Sequence, residues 1–211
     1  MNQSSLRMIQ FPNCKINLGL SILAKRADGY HELETVFYPI GVSDALEILP
    51  SDNLSLTQTG IAVPGDPTQN LCLKAFHLLK KDFPELPSVQ MHLHKHIPMG
   101  AGLGGGSSDG TAALTLLNKQ FSLGLNDTQL IDYASQLGSD CPFFVYNKAA
   151  HATGRGEILS PIDLDLSDYQ FVLVHPGKHI STAWAFQQLT PHTKEESIQS
   201  IIAKPIGEWK N

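Results

Sequence analysis

The chain has 211 residues, 42% hydrophobic and 17% charged, with a formal net charge of −5. That length allows one large domain, or a domain plus part of a second, with a real core. The acidic balance argues against a nucleic-acid surface, which needs a basic face.

The cysteines Cys14, Cys72 and Cys141 are odd in number, far apart and form no C-x-x-C pair. Neither a disulfide scaffold nor a structural zinc site is expected, and reduced thiols in a cytoplasm are the simplest reading. Residues Met1 to Gln10 lack the apolar core of a signal peptide. No apolar run approaches the roughly 20 residues that span a bilayer, so a soluble protein without a membrane partner is expected.

From Cys14 to Leu20 apolar and polar residues alternate, with Lys15, Asn17 and Gly19 on the polar side, which predicts a half-buried strand. The turn signal Asp28-Gly29 and a second strand over Glu32 to Ile40 make a hairpin-like unit. Ala45 to Leu49 and Leu54 to Thr59 read as short strands. Asn70 caps a helix with Leu71, Ala75, Leu78 and Leu79 on its apolar face, ending before Pro84. Val89 to Ile97 reads as a strand with Val89, Met91 and Leu93 inward. A glycine-rich loop follows, then a helix from about Ser107 to Lys119. Asn126 or Asp127 caps the next helix, which Gly138 stops. Phe143 to Tyr146, His151 to Thr153 and Phe171 to His175 read as strands, and a last helix begins near Ser181 or Thr182. Antiparallel-looking strand groups interrupted by helices indicate an α+β fold with a mixed or antiparallel sheet.

The strongest signal is Pro98-Met99-Gly100-Ala101-Gly102-Leu103-Gly104-Gly105-Gly106-Ser107-Ser108. Glycines let backbone N–H groups approach a ligand with no Cβ in the way. Joined to a helix N-terminus, such amides and the helix dipole form an anion site. Ser107 and Ser108 offer hydroxyls to phosphate or Mg²⁺. Gly100, Gly102 and Gly105 satisfy G-x-G-x-x-G, but a Rossmann unit needs a parallel strand after the helix, and here a second helix follows. The Walker pattern fails because Gly106 stands where lysine is required. The positive charge must therefore come from a metal ion and a distant lysine.

The segments Lys15-Ile16-Asn17-Leu18, Arg26-Ala27-Asp28-Gly29-Tyr30-His31, Pro98 to Ser108, Leu137-Gly138-Ser139-Asp140-Cys141-Pro142 and Gly154-Arg155-Gly156-Glu157 stand in order along the chain, and His175-Pro176-Gly177 extends them. Together they resemble the galactokinase, homoserine kinase, mevalonate kinase and phosphomevalonate kinase (GHMP) superfamily. The likeness extends to members that phosphorylate the 2-hydroxyl of a cytidine-diphosphate-linked methylerythritol in isoprenoid precursor synthesis. The resemblance implies an N-terminal ATP-binding domain over residues 1–165 and the beginning of a C-terminal domain over 166–211. It implies ATP and Mg²⁺ as cofactors, with no protein-held metal. Nothing here matches the superfamily's further glycine motif near its C-terminus. A C-terminally truncated chain is therefore expected, which puts its own catalytic competence in question.

By the same resemblance Asp140 is the general base and Lys15 its partner. Read alone, Asp140 is a turn aspartate and Lys15 a solvated strand lysine. The resemblance further implies that Asn17, Tyr30, His31 and Phe186 bind substrate, with the cytosine held between aromatic rings and its edge read by His31. Asn70, also a plain helix cap, and Lys95 are implied contacts of the nucleotide. The alternatives are another GHMP-superfamily small-molecule kinase and a non-catalytic nucleotide-binding protein. His92, His94 and His96 share one strand face and resemble a metal site, but no carboxylate or cysteine accompanies them at ligand spacing. A solvated strand face is the expectation there. The sequence leaves the oligomeric state undetermined.

Overall fold

The computed structural model describes residues 8–177, 185 and 196–209. Two four-stranded sheets organise the molecule. In the first, the strand order is Met8–Gln10 (β1), Ala45–Pro50 (β4), Val89–Lys95 (β6) and Ser55–Gly60 (β5), with β5 and β6 parallel and the other pairs antiparallel. In the second, Asn13–Lys25 (β2), His31–Ser43 (β3), Ala150–Thr153 (β7) and Ile158–Pro161 (β8) are antiparallel throughout. The fold is α+β.

Helices Leu71–Asp82 (α1), Gly105–Gln120 (α2) and Asp127–Leu137 (α3) cover the first sheet. Strand β6 alternates without a break, its odd-numbered residues Val89 to Lys95 buried and its even-numbered ones exposed. Leu46, Ile48, Met91 and Leu93 meet Phe76, Leu79, Leu114 and Leu117 from the helices. Each fully buried side chain of this size contributes about 1.5–3 kcal/mol. The Asn70 side chain accepts from Cys72 N at the start of α1. Asn126, rather than Asp127, caps α3, in a reciprocal capping box with Gln129. Gly110 lets α1 and α2 approach closely, since a Cβ there would lie 2.7 Å from Leu71 Cβ.

The β2–β3 hairpin is longer than its sequence pattern. Register shifts at Leu18/Leu20 and Ile22/Ala24 break its period of two. A short helix, Ile198–Ile202 (α5), rests on it, with Ile198 3.2 Å from where a Cβ on Gly19 would stand.

Three elements differ from the sequence reading. Phe143–Tyr146 is a helical turn (α4), not a strand. Pro142 sits at φ −56°, ψ −34°, already in the helical region, and the turn buries both Phe143 and Phe144. A strand would send consecutive rings to opposite faces. Residues 171–175 alternate in hydrophobicity but form no strand, and Val172 and Val174 are exposed. A strand needs a hydrogen-bonded neighbour, and none stands beside them among the described residues. Helix α2 begins at Gly105, so the last loop glycines form its first turn. The helix expected near Ser181 or Thr182 lies outside the described residues. Among those residues no helix is long and apolar enough to cross a membrane.

Candidate functional site

The glycine loop crosses from β6 to α2 at the junction of the two sheets. Cys14, Ile40, Ile97 and Leu103 pack together there and pin it. Lys15 N donates to Leu103 O at 2.9 Å, tying the loop to β2. Gly104 caps α2 with φ 69° and supplies no side-chain cap. Among the described residues the first-turn amides therefore have no side-chain capping partner, and no acidic residue occupies that turn. This is the electrostatics of an anion site on a full-length helix.

These amides open onto a cleft of about 810 Å³. Its wall runs along the loop from Pro98 to Ser107 and includes Lys15, Asn17, Tyr30, His31, Asp140 and Arg155. Residues distant in sequence thus meet around one space. Ser107 is on the wall, while Ser108 is buried behind it.

Lys15 is 4% exposed, so its position on the polar face of the strand is covered rather than solvated. Its Nζ lies 3.6 Å from Asp140 Oδ2, donates to Asn17 Oδ1 at 2.6 Å, and sits 4.4 Å from the centre of the Phe37 ring. Burial pushes the Lys15 pKa down, and the Asp140 carboxylate pulls it partly back. The turn carrying Asp140 is fastened to α2, where Thr111 Oγ1 donates to Cys141 O at 3.0 Å and the Cys141 thiol is fully buried. Burial pushes that thiol up to about 11.

Asn70 and Lys95 line a second cavity of about 470 Å³ that shares Leu71, Met99 and Gly106 with the first. Lys95 is 1% exposed, and its ammonium is held by Asp44 and by Asp109, the latter at 2.7 Å. Asp44 also accepts from Ile97 N at 2.8 Å, fixing the entry to the glycine loop. Burial raises the Asp109 carboxyl to about 8, against the pull of Lys95. Burial also pushes Lys95 down, but its two carboxyl partners outweigh this and raise it.

Tyr30 is exposed at the cleft mouth, with the Arg155 guanidinium 4.8 Å from its ring centre. Phe186 lies outside the described residues. His92 and His94 share Thr59 Oγ1 as a hydrogen-bond partner on the exposed face of β6. Sequence reasoning gave no role to Arg155, Phe37, Asp44 or Asp109. Only Arg155 carried a signal, as part of a quoted motif.

A family model described as GHMP kinases N terminal domain matches residues 70–148. The 4-diphosphocytidyl-2-C-methyl-D-erythritol kinase of Bacteroides fragilis is 52% identical over 208 residues, which cover 97% of this chain and 76% of that protein. The protein of the same name from Bacteroides thetaiotaomicron is 52% identical over 207 residues, covering 96% of this chain and 75% of that protein. A crystal structure of 4-(cytidine 5'-diphospho)-2C-methyl-D-erythritol kinase superposes with a TM-score of 0.75 at 31% identity, covering 93% of this chain and 70% of that one.

Proposed function

This chain belongs to the 4-diphosphocytidyl-2-C-methyl-D-erythritol kinase family of the GHMP kinases, and from that membership we propose that it transfers the γ-phosphoryl group of ATP to the 2-hydroxyl of 4-diphosphocytidyl-2-C-methyl-D-erythritol. Residues 1–165 then serve as the ATP-binding domain. The observation that carries the reading is the convergence of Lys15 on both halves of the reaction. Its backbone holds the glycine loop, and its ammonium lies 3.6 Å from Asp140.

The uncapped amides at the start of α2 receive the triphosphate oxygens, which approach because Gly102 and Gly106 leave the backbone open. The second cavity takes the base, with Asn70 and Lys95 on its wall. Mg²⁺ fits as a nucleotide-borne ion. Among the described residues no group of three acidic, histidine or cysteine side chains could hold a metal by itself, while the Ser107 hydroxyl stands on the cleft wall. Magnesium is commonly held through substrate phosphates in this manner, offsetting their charge.

Tyr30 and His31 hold the cytidine end of the acceptor, and Asn17 fixes Lys15 against the polyol. Asp140 accepts the proton of the attacking hydroxyl. That oxygen bonds to the γ-phosphorus as the bridging bond to the β-phosphate breaks, leaving ADP. The Lys15 ammonium, 3.6 Å from the carboxylate, holds it in place and offsets charge on the transferring group. Asp140→Asn and Lys15→Ala each lower phosphoryl transfer by at least about 100-fold, the scale of general-base and charge contributions. Affinity for an ATP analogue stays within a few-fold. Near-normal rates in either variant would refute the pair. A panel of the cytidine-linked acceptor, homoserine and mevalonate with labelled ATP gives transfer to the first alone.

A further inference from the structure

The turn over residues 154–157 brings Arg155 to the cleft wall. Its backbone is bolted to β3: Leu33 N donates to Gly154 O at 2.8 Å, and Gly154 N to Glu32 Oε1 at 3.1 Å. Gly154 and Gly156 adopt φ +70° and +106°, which side-chain-bearing residues rarely reach. A Cβ on Gly156 would stand 3.9 Å from Asp140 Oδ1, so the turn abuts the proposed base. From this anchored turn Arg155 extends over the Tyr30 ring, its guanidinium 4.8 Å from the ring centre. Its side chain thus lies between the base-binding end of the cleft and the reacting end. The Arg155 Nε–Glu157 Oε1 separation is 3.5 Å, longer than a strong hydrogen bond. The terminal guanidinium nitrogens have no hydrogen-bond partner among the described residues.

Of the lysines and arginines on the cleft wall among the described residues, Lys15 is 4% exposed and donates to Asn17 at 2.6 Å, whereas the Arg155 side chain is 37% exposed. We propose that Arg155 binds the diphosphate of the cytidine-linked acceptor and so selects acceptors that carry one. The inference rests on the acceptor named above. A substrate with its base at Tyr30 and its hydroxyl at Asp140 must pass its diphosphate between them. A stacked guanidinium offers that diphosphate a planar, bidentate edge with little rotamer freedom left to lose.

The test uses the whole chain and two probes, cytidine diphosphate and cytidine, titrated calorimetrically. The unaltered chain prefers the diphosphate by at least about tenfold, the scale of a charge-assisted contact. Arg155→Met removes most of that preference while cytidine affinity holds within about threefold, and Arg155→Lys recovers part of it. An unchanged preference in Arg155→Met overturns the proposal. So does an equal loss for both probes, because Arg155 would then merely prop up Tyr30. If the unaltered chain binds neither probe, the cytidine-linked acceptor itself is wrong, a failure distinct from the other two.

Discussion

Gly104 and Gly106 stand two positions apart in the glycine-rich segment, and the structure assigns them opposite responses to alanine. Gly104 has φ +69°, and an added Cβ would meet Phe144 Cζ at 3.0 Å and Lys15 Cε at 3.3 Å. The left-handed backbone alone costs about 1–2 kcal/mol for an L-residue. With the two tight contacts, Gly104→Ala should lose about 1–3 kcal/mol. For a chain of this size that lowers Tm by roughly 2–12 °C. Gly106 is helical and its Cβ direction is open, with nothing within 4 Å. Gly106→Ala reduces the entropy of the unfolded chain and should gain about 0.5–1 kcal/mol, raising Tm by roughly 1–4 °C. Yet Gly106 lies on the wall of both cavities, where the proposed triphosphate meets backbone. The methyl that stabilises the free protein should weaken an ATP analogue at least about tenfold, or 1.4 kcal/mol. Thermal melting and calorimetry on the two variants read both effects. A Gly106→Ala protein that melts higher and still binds the analogue normally would refute the assignment of those amides.

The Asp109 carboxyl gives a pH signature. Burial raises it to about 8, whereas the unfolded chain titrates near about 3.9. Between those values the folded state holds a proton that the unfolded state has released, so stability falls as pH rises. The slope from this one group is about 1.4 kcal/mol per pH unit, ending near pH 8. Chemical denaturation of Asp109→Asn across that range should show the slope removed, and an unaltered slope would contradict the burial-driven shift. Tyr30→Ala should abolish cytidine diphosphate binding by calorimetry while leaving Tm within about 2 °C, since the ring is exposed at the cleft mouth.

Much of this architecture is legible in local pattern. The β2–β3 hairpin follows from alternation and the Asp28-Gly29 turn, and Asn70 and Asn126 announce their helices by capping chemistry. What escapes the sequence is set by contacts between distant segments. Lys15 reads as a solvated strand lysine because nothing local says that the glycine loop covers its face. Lys95 meets Asp44 and Asp109 from 51 and 14 residues away, and neither acid carries a motif. Phe143 and Phe144 have β-forming side chains, but Pro142 and the packing of both rings override that preference. Residues 171–175 show the converse, a strand pattern without a strand beside it. The motif segments do share one space, since β2, β3, the glycine loop and the turns carrying Asp140 and Arg155 line the cleft.

Phosphoryl transfer by this chain requires phosphate and acceptor to meet between the start of α2 and Asp140. A crystal structure with a non-hydrolysable ATP analogue and the cytidine-linked acceptor tests this directly. The triphosphate oxygens should lie within hydrogen-bonding distance of backbone amides from Gly102 to Ser107, with the acceptor hydroxyl against Asp140. Phosphates bound away from those amides, or a carboxylate turned from the hydroxyl, would contradict it.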